Sequence, residues 1–122
     1  MTHAHGKLSF ELTNDLAEMS LLAEHLEQFC TRQGIAADVL SQLNLALDEI
    51  VTHIIAHGYG DAGIDQRIRI NLAHDGASLT ARIEDDAAAF DPLDINLVTA
   101  LVDEITYTRE HDRNVLVIRK LI

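Results

Sequence analysis

The sequence predicts an α+β fold: a two-layer sandwich in which a mainly antiparallel, mixed sheet is covered on one face by helices. Three observations carry that expectation. Residues 15–33 and 38–57 repeat apolar side chains every three or four positions, the period of a helix buried along one side. The segments around residues 7–12, 67–74 and 79–83 alternate apolar with polar, the period of a half-buried strand. Asp75-Gly76 lies between two of the alternating runs and is a strong hairpin turn, so those strands pair antiparallel. The 122 residues suit one core, and residues 1–122 are read as a single domain without repeat or linker.

Each element follows in order. Leu8, Phe10 and Leu12 face one way along the first strand. Asn14 is placed to cap the first helix, with Asp15 and Glu18 in its first turn, where the helix dipole favours acids. Leu16, Met19, Leu22, Ala23, Leu26, Phe29 and Cys30 form its apolar stripe, and Gly34 stops it. The second helix is expected from Asp38 to His57, about 30 Å long, with Leu40, Leu43, Leu47, Ile50, Val51, Ile54 and Ile55 inward. The loop Gly58–Gly63 leads to a hairpin whose strands point Ile68, Ile70 and Leu72, then Leu79, Ala81 and Ile83, to one face. After Pro92 a short helix spans Leu93–Val102. A second hairpin turns at His111–Arg113, its alternating residues Ile105 and Tyr107 then Val115, Val117 and Arg119, while Arg67 and Arg69 fall on the open face or edge.

Composition narrows the function. Nine basic and twenty acidic residues give a net charge of −11, and residues 1–66 hold two and ten of them, a local balance of −8. Such a field repels phosphate backbones and anionic lipid, so neither nucleic acid nor membrane is expected as the main partner, and a basic protein suits better. The plainer account of the same charges is a solvated surface. A lone cysteine, Cys30, excludes an internal disulfide and a cysteine-based metal site. With neither a signal-peptide pattern nor an apolar stretch of eighteen residues, the expected location is cytoplasmic.

One stretch concentrates chemistry. Glu49, His53 and His57 recur at four-residue spacing, roughly 6 Å apart along one face of the second helix. An acid and two imidazoles in line on an otherwise apolar helix either satisfy a polar core or build a site. Two histidines four apart can share a metal ion, but the order differs from the HExxH of metalloproteases, and a histidine packing at a helix end is the commoner case.

Leu47-Asp48-Glu49-Ile50-Val51-Thr52-His53, continuing to His57-Gly58-Tyr59, resembles the first nucleotide motif of the bacterial anti-sigma-factor serine kinases, members of the GHKL (histidine-kinase-like) ATPase superfamily. Ile83-Glu84-Asp85-Asp86-Ala87-Ala88-Ala89-Phe90-Asp91-Pro92 resembles their second motif, and Asp103 to Lys120 their final hairpin. The resemblance implies the GHKL (Bergerat-like) fold, ATP and Mg²⁺ as cofactors, and a sigma factor or a STAS-type anti-anti-sigma protein as partner in a partner-switching circuit. Homodimers are common in that family. It implies that Glu49 is the catalytic general base that activates or positions the attacking hydroxyl and that Asp85 accepts a hydrogen bond from the adenine amino group.

Four departures fall where the family holds the rest of the nucleotide. His53 replaces the metal-binding asparagine, and imidazole suits zinc, copper or nickel better than magnesium. Ala87 replaces a glycine where the chain passes close to the base. Val117 stands in the place assigned to an adenine-holding threonine. Pro92 leads into Leu93-Asp94-Ile95-Asn96-Leu97, and no glycine follows Gly76, so the glycine-rich phosphate lid is missing or shortened. The sequence therefore predicts an anti-sigma-type regulatory protein with weakened or lost ATP binding, and holds open, as the alternative, an active ATP-dependent serine protein kinase that phosphorylates the antagonist.

Overall fold

The computed structural model describes residues 6–60, 66–89 and 95–122. Strand β1 (Gly6–Thr13) leads through a 3₁₀ turn (Leu16–Glu18) into α1 (Met19–Gln33) and α2 (Ala37–His53), which continues as a π-helical turn, Ile54–Tyr59. Then come β2 (Arg67–His74), β3 (Ser78–Asp85), the short helix α3 (Asn96–Leu101), β4 (Glu104–Glu110) and β5 (Arg113–Leu121). The five strands lie in the order β1-β2-β3-β5-β4. Every pairing among them is antiparallel, so the expected mixed character is absent from the described sheet.

Helices and strands meet in one aliphatic core. Leu22, Leu26, Phe29 and Cys30 of α1 and Leu43, Leu47, Ile50 and Val51 of α2 are buried with Ile68, Ile70 and Leu72 of β2 and Leu79, Ala81 and Ile83 of β3. Burying each large side chain contributes about 1.5–3 kcal/mol, so this shared face is what fixes the layers. The helix Ala37–Tyr59 is long and apolar enough to cross a membrane by composition alone, with mean hydropathy 1.2. Its Leu43, Ala46, Leu47, Ile50, Val51, Ile54 and Ile55 fill the core here, which accounts for that composition.

Local chemistry moves several expected boundaries. Asn14 does not cap α1. Its backbone N–H donates to the Gln66 carbonyl at 3.1 Å, and its side-chain oxygen accepts from Gln66 N at 3.1 Å, extending the β1–β2 pairing by one step. Asp15 takes over the capping, accepting from Ala17 N at 3.0 Å, and a tight turn delays the α-helix to Met19. Gly34 closes the helix as expected, at φ 70°.

The turn of the final hairpin sets which face of β5 is buried. The β4–β5 turn places His111 and Asp112 at φ 51° and 63°, the geometry of a tight hairpin turn whose twist matches the strands. That register buries Asn114, Leu116 and Ile118 against the helices. Val115 and Val117 point to the opposite, open face, where Val117 pairs with Arg82. Arg69 and Arg82 lie on that open face too, in a ladder with Glu11 (3.3 Å from Arg69) and Glu84 (3.2 Å from Arg82).

Candidate functional site

The polar stripe of α2 ends in a widened turn. Glu49 and His53 are half-buried and His57 is exposed. Between the two histidines the helix passes into the π-helical turn, and their ring centroids lie 4.7 Å apart with the planes tilted by 35°. Such turns are frequent at functional sites. Among the described residues no group of three His, Cys, Asp or Glu side chains gathers as a metal site, so the line of three does not form a shared cage.

The turn delivers Gly58 and Tyr59 to the loop that leaves β3. Ala88 N donates to the Gly58 carbonyl at 3.2 Å. A Cβ built on Gly58 would stand 2.7 Å from Cβ of Ala87, so this approach requires glycine on the helix side. Tyr59 Oη donates to the Arg67 carbonyl and accepts from Asp86 N, both at 3.1 Å. Burial pushes the Tyr59 hydroxyl pKa up, against the pull of the Asp86 N–H.

Asp85 ends β3 on the core side and is only 4% exposed. Its Oδ1 accepts from Ala87 N at 2.8 Å and from Asn114 Nδ2 at 2.8 Å. Asn114, 1% exposed, also donates to the carbonyls of Ala87 and Ala88, each at 3.1 Å. Arg109 Nη1 donates to the Ala87 carbonyl at 3.0 Å and to Asn114 Oδ1 at 2.8 Å, and the Tyr107 hydroxyl donates to the same Oδ1. Burial raises the Asp85 carboxyl above the usual carboxylate range, opposed by the Asn114 and Ala87 donors. The charge of Asp86 adds to the rise and Arg109 works against it.

The sequence-expected residues thus divide. Asp85 and Ala87 meet in one network with Gly58. Glu49 and His53 lie together on α2, and no hydrogen bond or ion pair links Glu49 to Asp85 among the described residues. Val117 is remote from Asp85 for a physical reason: β5 pairs Asn114, not Val117, with Asp85, and a two-residue side-chain period puts 115 and 117 across the sheet. Asn114, with Tyr107 and Arg109 behind it, is what the motif reading missed. The available signal was an asparagine directly before four aliphatic residues, where a buried polar group demands partners. Phe90, Asp91, Pro92, Leu93 and Asp94 lie outside the described residues, and with them the lid region.

At the family's base-binding positions the described residues draw together. Both Asn114 Nδ2 and Ala87 N donate to Oδ1 of the carboxylate expected to read adenine, Oδ2 accepts no hydrogen bond among the described residues, and the methyl of Ala87 lies against Gly58.

A five-stranded antiparallel sheet with helices on one face, and a buried aspartate ending its central strand, defines the class as histidine-kinase-like ATPase folds. The profile of the histidine kinase-like ATPase domain matches residues 12–120, and the chain belongs to that family. Among solved structures, the crystal structure of the RsbU and RsbW domains of Rv1364c from Mycobacterium tuberculosis matches over 95% of this chain, with a TM-score of 0.79 and 17% identity. The match spans 32% of that chain, and at this identity it shows the shared fold. No curated protein matches.

Proposed function

We propose that the chain is an anti-sigma-type regulatory protein that binds a sigma factor or a STAS-type anti-anti-sigma antagonist in the cytoplasm, with nucleotide binding weakened or lost. The observation that carries the weakened nucleotide binding is the bond from Asn114 Nδ2 to Asp85 Oδ1 at 2.8 Å, beside the contact of Ala87 with Gly58. In the histidine-kinase-like family that aspartate serves the base; here its donor is the protein's own amide. The RsbW domain named in the matching structure supports the anti-sigma side of the reading through the shared fold. His53, an imidazole at the family's metal position, agrees with the loss of the magnesium step.

The second reading, an active serine kinase, is favoured by Glu49, a glutamate on α2 at the position of the family's catalytic base. Capture of partners from native cell extract on the immobilised chain tests the first reading. Recovery of a sigma factor or an antagonist is expected, and recovery of neither contradicts it. Transfer of the γ-phosphate to the captured antagonist would decide for the kinase.

A further inference from the structure

The two faces of the molecule treat charge differently. On the open sheet face four arginines are matched, Arg69 with Glu11 at 3.3 Å, Arg82 with Glu84 at 3.2 Å, Arg113 with Glu84 at 3.4 Å and Arg119 with Glu104 at 2.9 Å, and Arg67 is in no ion pair among the described residues. On the helical layer the balance is one-sided. Across α1 and α2 the acids Glu24, Glu27, Asp38, Asp48 and Glu49 face a single formal cation, Arg32, and none of these acids is in an ion pair among the described residues.

The same layer exposes apolar side chains that a solvated surface does not need. Leu16 is 55% exposed, Leu21 41% and Leu45 46%. Leu45 lies opposite the buried Leu43, Leu47 and Ile50 by the helical period, with Asp48 one turn along on the same outer side. Leu16 and Leu21 flank the entry to α1, which packs against α2. Leucines among unmatched carboxylates complement a helix that carries its own apolar stripe and a lysine- or arginine-rich flank.

We infer that the outer face of α1 and α2, centred on Leu21 and Leu45 and rimmed by Glu24, Glu27 and Asp48, is a docking surface for a basic amphipathic helix of a partner protein. The inference rests on the regulatory reading and supplies its partner chemistry. The carboxylates accelerate encounter and fix orientation, and the leucines supply the area that outlasts added salt.

Fluorescence anisotropy with a labelled Lys/Leu amphipathic 14-mer, and its Glu/Leu counterpart as control, tests the assignment. Leu21→Ser/Leu45→Ser leaves the net charge unchanged, and Val117→Ser is the matching control on the sheet face. The basic peptide is expected to bind the intact chain, to weaken at least tenfold in the leucine double variant, and to be unmoved by Val117→Ser. Circular dichroism establishes that each variant is folded. Equal weakening in both variants, no weakening in either, or equal binding of the acidic peptide overturns the surface. Weakening by Val117→Ser alone also overturns it, moves the partner to the sheet, and leaves the regulatory reading standing on its own capture experiment.

Discussion

Asn114→Ala removes the residue that holds the closed loop together, and its effect can be worked from its contacts. The amide donates to a buried carboxylate, Asp85, at 2.8 Å and to the carbonyls of Ala87 and Ala88, and accepts from Arg109 at 2.8 Å and from Tyr107. A hydrogen bond to a charged group contributes about 1.5–3 kcal/mol, and a neutral one about 1. Ala87 O keeps its bond from Arg109, so only Ala88 O loses its side-chain donor outright. A net loss of about 3–4 kcal/mol follows, a large share of the roughly 5–15 kcal/mol typical of a domain. With a urea slope of about 1.5 kcal/mol/M the unfolding midpoint falls by roughly 2 M. Val117→Ala, on the half-exposed face, serves as control and is expected to lose under about 1 kcal/mol. Asn114→Asp sharpens the result: two facing carboxylates should make it worse than alanine at neutral pH and let it recover in acid. A loss below about 1 kcal/mol for Asn114→Ala, or a larger loss for Val117→Ala, would refute both the network and the register of β5.

The other predictions concern the same neighbourhood and the core beneath it. Gly58→Ala drives a methyl to 2.7 Å from Ala87 and should destabilise by about 1–3 kcal/mol, with Ala87→Gly restoring most of that in the double variant; additive losses would contradict the contact. Because the Asp85 carboxyl is raised in the folded chain, the native state binds its proton more tightly than the unfolded state, whose value is near 3.8. Wild type therefore loses this contribution as pH rises from there through the folded value, whereas Asp85→Asn does not, so the variant gains relative to wild type between acid and neutral pH. Parallel urea midpoints at both pH values would count against it. Burial pushes the Cys30 thiol up to about 11, so native protein at pH 8 should react with Ellman's reagent far more slowly than urea-unfolded protein; equal rates would place Cys30 outside the core.

The fold was readable wherever one periodicity dominated. The stripe Leu22, Leu26, Phe29 and the alternation Ile68, Ile70, Leu72 each have one phase that hides their apolar side chains, and both are buried as expected. β5 gave no phase, since Val115, Leu116, Val117 and Ile118 are all apolar and either alternate set satisfies the pattern. The turn geometry at His111 and Asp112 settles it, and that depends on the pairing with β4. Asn14 was ambiguous for another reason: an asparagine after a strand serves equally as helix cap or as strand clamp, and Gln66, fifty-two residues away, decides. At the site, Asp85 and Ala87 were legible as motif positions, while Arg109, Tyr107 and Asn114 come from the final hairpin and converge on the loop only through tertiary pairing. The π-helical turn was equally hidden, because four-residue spacing of His53 and His57 describes an ordinary helix as well.

The proposed weakening or loss of nucleotide binding in this histidine-kinase-like domain rests on Asp85, Ala87 and Asn114. Isothermal titration of the intact chain with Mg-ATP tests it most directly. The account predicts no saturable heat into the millimolar range, with no rise in thermal stability on adding nucleotide. Stoichiometric binding at about 10 μM or tighter, near −7 kcal/mol, would contradict it and return Glu49 and Asp85 to catalytic use.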